Sequence, residues 1–225
     1  MADPLEERVR ESLLAFVDFL YAVVFGLIVA KLFDEVVHGQ DNVLDKIGKV
    51  GLVGSVFYFL TWDWLHGRLL TLKNSYRGYW RFFIEILIAC CGYGAAEAAV
   101  TAKVSVIGYV AAILLLGAWW ARIAVREHPA SQDLYEFRFL SVYQAICSAA
   151  LIALLASYYI FVGQYIPWWV AIPFNLIGAL FVFLYELKIE RPIGVLGGPG
   201  VPFIHRDLMM RIRKMARSKT SLRRR

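Results

Sequence analysis

Asp18, Asp63, His66, Glu85 and Glu97 are ionisable residues within otherwise apolar stretches of this chain. Charged groups are costly in hydrocarbon, so each is a functional candidate by residue type alone. Asp63 and His66 are three residues apart and share a helix face, a spacing that two metal ligands can use. No second histidine joins them, because His38, His128 and His205 fall in loops or the tail. There is no glycine-rich phosphate loop, no nucleophile elbow and no His-Glu-x-x-His pattern. The chemistry on offer is charge pairing and ion handling. The sequence therefore predicts no enzyme, no metal and no cofactor.

The elements that must position these residues follow from composition. The 225 residues are 60% hydrophobic and 19% charged, with a mean hydropathy of +0.58. A soluble domain is roughly 45–50% apolar and about 25% charged. The apolar residues also fall in blocks of roughly 20, the length at which a helix crosses ~30 Å of hydrocarbon. Lipid offers no partner to open strands, so the blocks read as helices. They are Leu13–Phe33, Val50–Leu70, Tyr79–Val100, Val104–Val125, Leu140–Val162 and Ile166–Leu187. Only Thr101–Lys103 parts the third from the fourth, which requires a tight turn. Cys90, Cys91 and Cys147 lie inside the blocks with no ligand spacing and read as small packing residues. The expected fold is an all-α polytopic membrane protein with six transmembrane helices. Residues 1–12 form a short terminus, 13–187 the helical domain and 188–225 a basic tail.

Lysine and arginine counts orient these helices. Segments on one side carry twenty such residues, among them Arg8, Arg10, Arg68, Arg81 and the run from Lys188 onward. The other side carries Lys46, Lys49 and Lys103, with Lys31 near a helix end. This asymmetry predicts both termini on the cytoplasmic side, in the plasma membrane. Within the tail, His205–Arg217 spaces Leu208, Met209, Ile212 and Met215 at helical intervals between basic residues. That pattern fits a helix resting on anionic lipid, and also a calmodulin-type or nucleic-acid target. Because the topology already demands positive charge there, the net charge of +6 points to the bilayer surface and not to nucleic acid.

With that orientation, Asp18, Asp63, His66 and Glu85 all lie toward the inner ends of helices one to three. Arg10, Arg68 and Arg81 lie at the same level. A polar cluster tying the three helices together is expected, either as part of a functional mouth or as an ion-pair network that only fixes packing. In the first helix, Ala22, Gly26 and Ala30 form a small-residue stripe. Tyr21, Phe25, Ile28 and Leu32 occupy an adjoining face. Converging on a symmetry axis, such a face forms a hydrophobic constriction. On a lone subunit it is lipid contact or helix packing.

The string AFVDFLYAVVFGLIVAKL at Ala15–Leu32 resembles the first helix of the transmembrane-protein-175 potassium channels, which open with an Arg-x-x-x-Phe-Ser-Asp signature. Phe16 and Asp18 match it, Val17 stands in place of the serine, and Ser12 occupies the arginine position, with Arg10 the nearest substitute. Trp62 and His66 resemble a Trp and a His near the inner end of that family's second helix. The resemblance implies a homotetramer in which the first helices line a pore for monovalent cations. Its pore face would be Tyr21, Phe25, Ile28 and Leu32. Its inner-mouth network would comprise Arg10, Asp18, Trp62, Asp63, His66 and Glu85. The alternative is a non-conducting membrane anchor that recruits a partner through the basic tail.

Overall fold

In the computed structural model, residues 4–171, 173, 176 and 178–180 are described. Long apolar runs that satisfy their own backbone dominate them. The helices are α1 (Pro4–Lys31), α2 (Val43–Lys73), α3 (Tyr79–Val100), α4 (Ser105–Glu127) and α5 (Leu134–Phe161). A π-helical segment, Leu32–Val37, prolongs α1 and ends where the His38 N–H donates to the Phe33 carbonyl at 3.0 Å. The third apolar block coincides with α3. By contrast, α1 starts nine residues before its block, because the mixed-charge segment ahead of Leu13 continues the helix. Asn42 caps α2, its side chain accepting from the Asp45 N–H at 2.9 Å. That cap sets the start of α2 seven residues ahead of Val50.

Among the described residues, four helices are long and apolar enough to cross a membrane: Glu7–Val37, Tyr79–Val100, Ser105–Glu127 and Leu134–Phe161. The chain is all-helical among the described residues and compatible with a membrane protein. α2 is 31 residues long but carries Asp63, His66 and Arg68 in its second half. Of the sixth apolar block, 168–171, 173, 176 and 178–180 are helical. Residues 172, 174, 175, 177 and 181–187 of that block, and the tail from Lys188, lie outside the described residues.

α3 packs against α1, α2 and α4, and α4 packs against α5. Its sequence explains this central place. Ala89, Gly92, Ala95, Ala96 and Ala99 are buried along it and allow close backbone approach. At Gly92 a Cβ would meet the Leu60 side chain at 2.7 Å. The Thr101–Lys103 turn is as tight as expected: Ala102 adopts a left-handed φ of 49°, and the Lys103 N–H returns to the Ala98 carbonyl at 2.8 Å. The exit of α5 closes over this turn, with Ile166 N–H donating to Ala102 O at 2.7 Å and Val104 N–H to Gln164 O at 2.9 Å.

Side-chain pairs fix the helix directions. Lys31, at the end of α1, forms an ion pair with Glu97 near the end of α3, so these two helices run parallel. Asp18 in the first half of α1 meets Arg68 in the second half of α2, so α2 runs back. The helices therefore alternate in direction. The first halves of α1, α3 and α5 and the second halves of α2 and α4 share one end of the bundle. The three cysteines are unbridged, with Cys90 exposed and Cys91 and Cys147 half-buried.

Candidate functional site

The end of the bundle defined above holds most of the buried polar chemistry. At its centre is Arg81, on the first turn of α3, with no side-chain exposure. Its Nη1 donates to the Asn74 carbonyl at 2.9 Å and to Glu127 Oε2 at 3.2 Å, and its Nη2 to Thr71 Oγ1 at 3.3 Å. The guanidinium also lies over the Trp120 ring at 4.3 Å and near the Tyr76 ring at 5.3 Å. Only a planar, five-donor cation can make hydrogen bonds at its edge while stacking on its face. Asn74 extends this knot to α5. Its Nδ2 donates to Asp133 at 2.8 Å, and its Oδ1 accepts from Ser131 at 2.6 Å. His128 shares its ring nitrogen with the Ser75 carbonyl at 2.8 Å, and burial pulls its pKa below the ordinary histidine value.

Next to the knot, Glu85 accepts from the Tyr76 hydroxyl at 2.6 Å and from Trp120 Nε1 at 2.7 Å. Burial, with this carboxylate beside it, pushes the Tyr76 hydroxyl well above its ordinary range, so it remains a donor. Asp18 is held by Arg68 Nη2 at 2.8 Å and by Trp64 Nε1 at 3.2 Å. His66 pairs with Glu136 on α5 at 3.2 Å, both side chains largely buried. Trp62 lies parallel to the His66 ring, with centroids 5.3 Å apart and planes at 12°. The Tyr21 hydroxyl reaches Asp63 closely enough to hydrogen-bond it. Between these groups lies a small, partly open cavity of about 40 Å³, bordered by Asp63, Glu85, Arg68, His66, Tyr21 and Gln144.

The structure thus gathers Asp18, Trp62, Asp63, His66 and Glu85 at one level. It also gives them partners that the sequence did not identify. The expected arginine for Asp18 is Arg68, five positions beyond Asp63, while Arg10 stands about two turns earlier on α1. His66 is engaged by a fifth-helix carboxylate. Arg81 was expected at this level but not its central place, and Glu127, Trp64, Trp120, Glu136 and Gln144 were not singled out. The one legible signal of those five was that each sits in the half of its helix that shares this end of the bundle.

The four apolar residues expected along one face of α1 do not share an open face. Tyr21 and Ile28 are 3% and 1% exposed and pack inside the subunit, while Phe25 and Leu32 are half-buried. Phe25 leans on Phe57 and Trp64, with ring centroids at 5.1 and 6.3 Å. A helix crossing other helices must bury one stripe, and in α1 that stripe is Val17, Tyr21, Val24 and Ile28. The open arc is Phe16, Phe19, Val23, Gly26, Ala30 and Phe33. No family model, curated protein or solved structure matches the chain.

Proposed function

We propose that the protein is an oligomeric channel or channel-like pore for monovalent, potassium-like cations. Its subunit has six helices and both termini in the cytoplasm. The first helix of each copy faces the symmetry axis, and the basic tail rests on anionic lipid of the plasma membrane. The observation that carries this reading is the open arc of α1. This is the most apolar of the four membrane-length helices, and only 22% of its apolar window is buried. The arc runs along its whole length, with Gly26 and Ala30 narrow enough for close helix approach. On this geometry Phe19 and Val23, and not Tyr21 and Ile28, supply the apolar constriction. The inner-end network then holds α1 in register: Asp18 is fixed by Arg68 and Trp64 of α2, and Tyr21 by Asp63.

The experiment is potassium flux into liposomes containing the purified protein, beside empty liposomes and beside Gly26→Val. A Cβ at Gly26 meets nothing within 4 Å in its own chain, so this variant leaves the subunit's folding intact. The parent conducts above the empty control, and Gly26→Val elutes at a different oligomeric size or loses flux. Flux no greater than that of empty liposomes refutes conduction and leaves the anchor that recruits a partner through its basic tail. A Gly26→Val protein with parental elution and flux removes α1 from the axis.

A further inference from the structure

Gly117 on α4 and Gln144 on α5 are fitted to one another. A Cβ at Gly117 would stand 2.7 Å from Gln144 Oε1 and 2.9 Å from its Nε2, so glycine leaves the space in which the amide lies. The Gln144 side chain borders the inner-end cavity and is 2% exposed, yet its Oε1 has no donor. On the wall of the same cavity, Arg68 gives Nη2 to Asp18 at 2.8 Å while its buried Nη1 has no acceptor. Buried polar groups in native proteins are nearly always satisfied, by protein or by ordered water. Here one orphan acceptor and one orphan donor share a single cavity.

Size and polarity together decide what can satisfy both. The cavity offers about 40 Å³. A water molecule needs ~10–15 Å³ of such space and takes ~30 Å³ in the liquid, so about one to three fit. An organic ligand, whose pocket is roughly 300 Å³ or more, does not. A cation would satisfy Gln144 Oε1 but stand beside the Arg68 guanidinium, and an anion would satisfy Arg68 but stand beside Asp63 and Glu85. Water accepts from the one orphan and donates to the other. The Asp63 and Glu85 carboxylates, whose oxygens each accept more than one hydrogen bond, supply the further partners that hold a buried water in place.

We infer that this cavity is an internal hydration site, in which ordered water accepts from Arg68 Nη1 and donates to Gln144 Oε1. Through that water, α5 is bonded to the same arginine that holds Asp18 of α1. The inner-end network then reaches from α1 to α5 with solvent as one of its members. The site lies within one subunit and does not depend on conduction.

The test is hydroxyl-radical footprinting of the full chain in detergent, read by mass spectrometry at two tryptophans. Trp120 borders the cavity and Trp62 does not, and each is 4% exposed. Radicals formed from resident water label the side chain beside it, so Trp120 is oxidised about threefold or more faster than Trp62. Gln144→Leu is close in volume and removes the acceptor; oxidation at Trp120 then falls about twofold or more while Trp62 is unchanged. Equal oxidation of the two tryptophans in the parent overturns the inference, whatever the variant does. Oxidation at Trp120 that persists unchanged in a Gln144→Leu protein of parental elution also overturns it, because solvent entering through the open mouth does not need that acceptor.

Discussion

Replacing Arg81 by alanine removes a cation that is fully buried, leaving Glu127 without its ion-pair partner and Thr71 and the Asn74 carbonyl without its hydrogen bonds. Removing one member of a buried pair costs about 3–5 kcal/mol, chiefly because the other charge stays behind. Glu127 keeps 14% side-chain exposure, which favours the lower figure, ~3 kcal/mol. For a chain of this size each kcal/mol moves the melting temperature by about 2–4 °C, so Arg81→Ala should melt roughly 6–12 °C below the parent. Arg81→Lys keeps the charge but loses the fork and the flat contact with Trp120. It should therefore fall between the two, at about 1–2 kcal/mol. The double variant Arg81→Met, Glu127→Gln should be more stable than the sum of its parts by about 1–3 kcal/mol. Melting is followed by tryptophan fluorescence, with elution on size exclusion as the folding control. Arg81→Ala melting within 2 °C of the parent, about one kcal/mol or less, refutes the reasoning.

Two further outcomes follow from the same end of the bundle. Asp18→Ala should lower the melting temperature and disturb assembly, because Arg68 and Trp64 both lose their acceptor. Asp18→Asn should be milder, since it keeps an acceptor of nearly the same shape; an alanine variant that elutes and melts like the parent would reduce Asp18 to a solvent-facing residue. His128 has a folded pKa below its unfolded value, so the unfolded chain binds more protons between the two. Its contribution is complete above the ordinary histidine pKa of about 6.5 and is lost as pH falls toward the depressed value. His128→Gln should flatten that slope in melting curves measured between about pH 7 and 5, and an unchanged slope would place its cause elsewhere.

Much of the helix pattern was legible because hydrocarbon imposes length and composition directly. α3 coincides with its apolar block, and the Thr101–Lys103 turn was required by the shortness of the gap. The ends of α1 and α2 were less legible, since polar residues outside the hydrocarbon continue a helix without leaving an apolar trace. Depth was legible at the candidate site: Asp18, Asp63, His66 and Glu85 do stand at one level. Azimuth was not. Whether His66 turns toward α1 or α5, and whether Tyr21 turns inward or out, depends on which helices pack side by side. A periodicity gives the angle between residues of one helix but not the angle between helices. Tyr21 and Phe25 illustrate this, two aromatic residues four apart, with the more polar one buried and the other half-buried.

The Arg81 knot also bears on how helices of this kind would enter a bilayer. Arg81 and Glu127 are 46 residues apart and stand at opposite ends of the α3–α4 hairpin sequence. While the chain emerges, Arg81 has Asn74, Thr71, Tyr76 and, one turn along α3, Glu85 in its own neighbourhood, but its direct ion-pair partner Glu127 is missing until the end of α4 arrives. Insertion of α3 alone would leave a bare guanidinium at the membrane boundary. Insertion of α3 and α4 as a hairpin brings the counter-charge and the Trp120 face together in one step. The Ala102 turn, already closed by its own backbone hydrogen bond, supplies the pivot. If these helices enter a bilayer, the smallest unit that carries its own counter-charge is this helix pair, and a chain truncated between Lys103 and Glu127 should insert less completely than one extended through Glu127.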